Sequence, residues 1–103
     1  MSLDSKGEKE LEEFVLKNAK ENDPIDVVNK IDEFCEKNWM MNLGYEKGNI
    51  IRTVVLEKVK PKNILEIGGY CGYSAIYFAA YAPNSKVFSL EISKDYANIA
   101  RKI

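Results

Sequence analysis

The stretch Asn63-Ile64-Leu65-Glu66-Ile67-Gly68-Gly69-Tyr70-Cys71-Gly72-Tyr73-Ser74 decides the fold of this chain. It begins as an apolar run that predicts a short buried strand, breaks into a glycine-rich turn, and continues at once into an apolar helical pattern. A second strand pattern follows at residues 86–91. A strand, a glycine turn, a helix and a strand in this order predict a βαβ unit whose parallel sheet is covered on both faces.

The two strand ends point to a nucleoside cofactor. Ligands of open α/β sheets bind at the carboxyl ends of the strands, and Glu91, which ends the second strand, is suited to bind ribose hydroxyls. A dinucleotide fingerprint needs glycines that admit a pyrophosphate, whereas this turn carries the bulky Tyr70. S-adenosylmethionine has no phosphate and carries an ammonium group that Glu66 would attract. The turn therefore favours S-adenosylmethionine over a nicotinamide cofactor.

Two separate motifs resemble the catechol O-methyltransferase family. One is residues 65–74, and the other is Cys35-Glu36-Lys37-Asn38-Trp39-Met40-Met41-Asn42-Leu43-Gly44, followed by Lys47 and Gly48. The resemblance covers residues 24–103. It implies an α/β fold of the Rossmann-like, S-adenosylmethionine-dependent methyltransferase type, with only the first two parallel strands and their flanking helices present in this chain.

Chain length limits how much of that fold is present. The chain has 103 residues, whereas a doubly wound domain of this kind needs about seven strands and roughly 200 residues. We expect residues 1–22 to form an N-terminal helical extension, either capping the domain or loosely held. Residues 23–103 would be the truncated cofactor-binding half of a methyltransferase domain.

Helical patterns fill the rest of the chain. Apolar residues recur at helical spacing in residues 8–20, in residues 24–37 after the predicted N-cap Asp23, and in residues 45–60. In the last of these the predicted stripe is Ile51, Val54, Val55 and Val59. A final helix is predicted to begin at Ser93.

Composition excludes several classes of function. A net charge of −1 without a basic patch argues against nucleic-acid binding. No apolar run reaches the roughly 18 residues typical of a membrane span, and there is no signal-peptide core, so we expect a cytoplasmic protein. The absence of histidine excludes a His-based zinc site and a Ser-His relay. Cys35 and Cys71 are expected to be reduced.

The family resemblance implies a set of site residues. The cofactor would be bound by Met41, Asn42, Leu43, Glu66, Gly68, Tyr70, Ser74, Glu91 and Ile92, and an aromatic substrate by Trp39 and Met41. No catalytic residue and no metal ligand is expected in this chain. The Mg²⁺ ligands and the lysine base of the family lie in the later half of the fold.

The residue types alone leave simpler roles open. Glu91 could be a solvated strand end, Glu66 a structural acceptor for nearby amides, and Ser74 a helix N-cap. Trp39 could belong to the core. Cys71 precedes a helix N-terminus, which tends to lower a thiol pKa. We interpret it as a packed loop residue that could be sensitive to oxidation.

The predicted activity is transfer of a methyl group from S-adenosylmethionine to a catechol-type hydroxyl, with Mg²⁺ required by the intact enzyme. This chain would supply the donor-binding half and would be inactive alone. The alternative is a non-catalytic cofactor-binding or interaction module from a truncated paralogue. The expected partners are a small aromatic substrate and either a second copy or the missing C-terminal half, with no nucleic acid and no membrane.

Overall fold

The computed structural model describes residues 6–40 and 42–103. Helices precede a single βαβ unit and one helix follows it. The elements in chain order are α1 (Lys6–Asn18), α2 (Pro24–Cys35), α3 (Tyr45–Ile51), a π-helical turn (Arg52–Leu56), α4 (Glu57–Val59), β1 (Asn63–Ile67), α5 (Tyr73–Tyr81), β2 (Lys86–Leu90) and α6 (Lys94–Lys102). Within the described ranges, no helix is both long and apolar enough to cross a bilayer.

Local signals place the helix ends. Asp23 caps α2 by accepting a hydrogen bond from the backbone amide of Asp26 at 3.0 Å, and Pro24 occupies the first turn. Ser93 caps α6 in the same way, since its hydroxyl accepts from the amide of Tyr96 at 3.3 Å. The predicted N-cap and the predicted start of the last helix are confirmed.

The helix before β1 contains a turn that the periodicity did not predict. Between α3 and α4 the backbone adopts a π-helical turn, which adds a residue to the repeat and shifts the faces of the helix. Leu56 is buried, whereas Val54, Val55 and Val59 of the predicted stripe are exposed. The stripe prediction is therefore wrong beyond Ile51.

The two strands confirm the predicted parallel pair. β1 and β2 run parallel, in a register that extends from Asn63 opposite Lys86 to Ile67 opposite Leu90. The parallel arrangement requires a crossover, which α5 provides. The predicted α/β class and the Rossmann-like arrangement are confirmed for this portion of the fold.

The described helices cover only one face of this sheet. Leu65 and its partner Phe88 are exposed, and so are Leu90 and Ile67, the latter with 82 % of its surface accessible. The prediction of a doubly covered sheet and of a buried Leu65 and Ile67 is wrong for this chain. Apolar strands need cover on both faces, and the described residues supply helices for one. We call the uncovered side the open face.

The core lies among the helices rather than over the open face. Its buried side chains come from four helices and the glycine turn, namely Leu11, Val15, Val27, Val28, Ile31, Cys71, Tyr73, Tyr77 and Ile99. Leu11 and Val15 are almost completely buried, so α1 is packed firmly onto α2 and α6.

Candidate functional site

The glycine-rich turn after β1 requires unusual backbone angles. Gly68 and Gly72 have φ values of +91° and +92°, in the region that favours glycine. The amides of Gly68 and Gly69 both donate to the carbonyl of Leu90, at 2.8 and 2.9 Å. These bonds tie the turn to the end of β2, so the two strand ends form one surface.

Glu91 is fixed at the centre of this surface. One carboxylate oxygen accepts a hydrogen bond from the amide of Tyr70 at 2.7 Å, and the other accepts from the amide of Ser93 at 2.8 Å. Each oxygen of a carboxylate can accept a further bond. Glu91 is thus an oriented, half-buried acceptor with capacity left for a ligand, rather than a freely solvated strand end.

A cleft of about 390 Å³ opens beside this carboxylate. It is lined by Ile67, Gly68, Leu90, Glu91 and Ile92. A Cβ atom placed on Gly68 would meet none of the described atoms within 4 Å, so the space next to the turn is free. Ile92 is fully exposed at the mouth and offers an apolar surface. The volume lies in the range of small-molecule sites.

Glu66 and Ser74 lie on the other, helix-covered side of the sheet. The hydroxyl of Ser89 donates to Glu66 Oε1 at 2.8 Å, and Ser74 also hydrogen-bonds this carboxylate. Burial raises the pKa of Glu66, the two hydroxyls oppose that shift, and the charge of Glu91 adds to it. Neither residue lines the cleft beside Gly68, and their cofactor-binding role stays a prediction. The cap of α5 is Gly72 and not Ser74.

The Tyr70 side chain points towards α1. Its hydroxyl donates to Glu8 Oε1 at 2.6 Å, and its ring meets the Tyr96 ring edge-on with centroids 4.8 Å apart. Burial, followed by the hydrogen bond to Glu8, raises the pKa of Tyr70 far above its usual value. The residue also borders a second cavity of about 400 Å³, between the covered face of the sheet and α6.

Sequence reasoning missed Glu8. It lies in a run of charged residues that looks like a solvated helix face, yet it is only 8 % exposed. The one available signal was its position three residues before the buried Leu11, which places both on the same side of α1.

The second motif, residues 35–44, begins at the end of α2, and α2 contacts the helix that follows the glycine turn. The Tyr73 hydroxyl donates to Asp32 Oδ2 at 3.0 Å, which joins α2 to the first residue of α5. Asn42 donates from its side-chain amide to Cys35 Sγ at 3.1 Å, and Leu43 packs against the core. Trp39 is 86 % exposed and therefore not a core residue. Met41, predicted to contact both ligands, lies outside the described residues.

Cys71 is fully buried in the core behind the turn. Burial is the main reason that its pKa rises to about 12, and the negative charges of Glu8 and Glu91 raise it further. The lowering expected from the helix N-terminus is therefore outweighed, and the interpretation of Cys71 as a packed residue is confirmed. Cys35 and Cys71 are both free thiols.

Comparison with known proteins gives a consistent result. Residues 16–103 match the family described as O-methyltransferase. The chain is 43 % identical to catechol O-methyltransferase B of Danio rerio over 91 residues, which cover 86 % of this chain and 34 % of that protein. It is 37 % identical to the Bos taurus catechol O-methyltransferase over 103 residues, or 98 % of this chain and 38 % of that protein.

A bacterial relative is similar to the same degree. A probable O-methyltransferase of Mycobacterium tuberculosis is 37 % identical over 92 residues, covering 88 % of this chain and 39 % of the relative. The chain thus spans between about a third and two fifths of the length of these curated relatives.

Proposed function

This chain belongs to the O-methyltransferase family, and from this premise we propose that its strand-end cleft binds S-adenosylmethionine. The observation that carries the proposal is the Glu91 carboxylate. It is held by two backbone amides at the carboxyl end of β2, with a free acceptor position on each oxygen. Two such positions on one carboxylate match the two adjacent hydroxyls of a ribose.

The rest of the cleft fits the same ligand. The open space at Gly68 admits a ligand close to the backbone, and the exposed Ile92 offers an apolar contact for the flat adenine ring. When bound, S-adenosylmethionine supplies a methyl group activated by a sulfonium. The chain's own residues bind and orient that donor, while Glu66 contributes negative potential for its ammonium group from behind the turn.

The acceptor is proposed to be a catechol-type hydroxyl. Support comes from the vertebrate relatives, which are catechol O-methyltransferases, and from the exposed Trp39, which is free to contact an aromatic ring. In the described part of the chain, no group of three or more His, Cys, Asp or Glu side chains is placed to bind a metal. Mg²⁺ is proposed for the intact enzyme, with ligands supplied outside this chain, and this chain alone is proposed to be inactive. A cytoplasmic location remains a prediction.

A second candidate is a non-catalytic interaction module, and the open face favours it. A contiguous apolar surface is formed by Leu65, Ile67, Phe88 and Leu90, on two strands that each have an edge unpaired by any described residue. Exposed apolar patches and open edges promote association. We propose that this surface pairs with a second copy or with the remaining part of a longer chain.

The donor proposal is tested by titrating the isotopically labelled chain with S-adenosylmethionine and, separately, with NAD. Nuclear magnetic resonance detects even millimolar binding. We expect the amides of Gly68 and Ile92 to shift with S-adenosylmethionine and not with NAD. Equal responses to both ligands, or none to S-adenosylmethionine, would contradict the proposal. A methyl-transfer assay with catechol and Mg²⁺ then separates a silent donor-binding portion from an active enzyme.

A further inference from the structure

A buried carboxylate on α1 contacts the glycine-rich turn, which lies 62 residues later in the sequence. Glu8 lies in the first turn of α1 and is 8 % exposed. Its Oε1 accepts the hydroxyl of Tyr70 at 2.6 Å, the short distance typical of an O–H bond to a charged acceptor. A buried charge is costly unless it is hydrogen-bonded, so this contact compensates for the burial of both groups.

Tyr70 needs such a restraint because of its backbone. Its φ angle is +50°, in the left-handed region that residues with a Cβ atom rarely adopt. A strained backbone of this kind persists only when its surroundings hold it in place. Here the ring packs edge-on against Tyr96 and the hydroxyl is held by Glu8.

The same residue also sets the orientation of the ligand-binding acid. The amide of Tyr70 donates to Glu91 Oε1 at 2.7 Å, so the peptide plane of the turn and the carboxylate are fixed together. If Tyr70 relaxed to a negative φ, its amide would rotate and this bond would be lost. Glu8 is thus connected to Glu91 through a single residue that is held at both its hydroxyl and its amide.

We propose that Glu8 is a positioning residue for the donor site. Its carboxylate holds the Tyr70 hydroxyl, keeps the turn in its left-handed conformation, and so presents Glu91 to the ribose. The idea rests on the proposed function only for the last of these steps. It also gives α1 a role in a site that otherwise lies within the family match, which begins at residue 16.

Helix α1 does not depend on Glu8 for its attachment. Leu11 and Val15 are fully buried in the core, and Glu12 pairs with Lys102 at 3.5 Å. Variants at position 8 should therefore keep the helix docked. Glu13, exposed on the same helix, provides a control with the same change of charge.

The first test needs no ligand. Amide hydrogen exchange is measured for Glu8→Ala, Glu8→Gln, Tyr70→Phe and the control Glu13→Gln. We expect the Tyr70 amide to exchange at least roughly tenfold faster in Glu8→Ala and Tyr70→Phe, an amount that corresponds to loss of one hydrogen bond. Glu8→Gln, which retains an acceptor oxygen, should fall between these variants and the wild type, and Glu13→Gln should match the wild type.

The second test measures donor binding by the same variants. Affinity for S-adenosylmethionine should fall in the order of the exchange rates, with about a tenfold loss in Glu8→Ala. If the wild type binds no donor, the proposed function fails while the exchange data still decide whether Glu8 holds the turn. Unchanged Tyr70 exchange in folded Glu8→Ala and Tyr70→Phe overturns the positioning role, even if the melting temperature falls. If Glu8→Ala does not fold, Tyr70→Phe decides, because it removes the same bond from the other side.

Discussion

Replacement of Glu91 by alanine is the most direct perturbation of the proposed donor site. The change removes the acceptor of two backbone amides, from Tyr70 at 2.7 Å and Ser93 at 2.8 Å, together with the two positions proposed for the ribose. Hydrogen bonds to a charged group contribute about 1.5–3 kcal/mol each. Water replaces some of these bonds in the free protein, so we expect donor affinity to fall by about 1.5–3 kcal/mol, roughly ten- to hundredfold.

Calorimetry with S-adenosylmethionine measures this loss, on a version of the protein that binds the donor tightly enough. The matched control is Glu21→Ala, which removes an exposed acid remote from the cleft. A donor analogue that lacks the ribose 2′-hydroxyl allows a second comparison of affinities. The wild type should bind it more weakly than the donor itself, whereas Glu91→Ala should bind the two about equally.

A loss of less than about threefold in a folded Glu91→Ala protein would remove Glu91 from the site. A fall in affinity together with unchanged discrimination would show that Glu91 organises the turn without contacting the ribose.

Three further predictions follow from exposure and charge. Trp39→Ala should impair binding of an aromatic acceptor while leaving donor affinity and the melting temperature unchanged, because the ring is 86 % exposed. Calorimetry with each ligand and a thermal melt measure these effects. A large loss of stability would show that the ring packs in the core. The buried thiol of Cys71 should favour the folded state fully below its ordinary pKa of 9.0, and this contribution should decline as the pH rises towards about 12, since only the unfolded chain releases the proton there. In denaturant melts the wild type should therefore lose stability more steeply than Cys71→Ala above pH 9, so that the gap between them narrows; parallel pH dependences would contradict this. Sedimentation should detect a species larger than one chain. The double variant Ile67→Lys, Phe88→Lys places charges on the open face and should shift this species towards the monomer. A wild-type protein that stays monomeric at high concentration would contradict association through the open face.

The local signals in the sequence were sufficient for the βαβ unit and for the caps of α2 and α6. Asp23 and Ser93 act through neighbours within three residues, and the glycines of the turn need φ values that few other residues accept. The place of Glu91 followed from the strand that it ends. Each of these features depends on a short segment of chain, so one sequence contains the necessary information.

Other features depend on partners that are distant in sequence. No local pattern connects Glu8 to Tyr70, because the contact joins the first helix to a turn that follows α2, α3, α4 and β1. The rise in the pKa of Cys71 depends on burial by the whole core and on acids from two different elements. The π-helical turn leaves no mark in an apolar periodicity, which is why Leu56 replaces the predicted valines in the buried face.

The open face connects association with donor binding. Apolar strand residues indicate that a sheet face will be covered, but not by which chain, so the same pattern that predicted burial of Ile67 is compatible with its exposure here. Ile67 and Leu90 belong both to this face and to the lining of the donor cleft. A partner that covers Leu65 and Phe88 must therefore approach the cleft along the same two strands. If it leaves the strand ends accessible, it gives the donor a deeper site and raises affinity; if it covers them, it competes. In both cases donor affinity and association are linked, and each changes the other by the same factor.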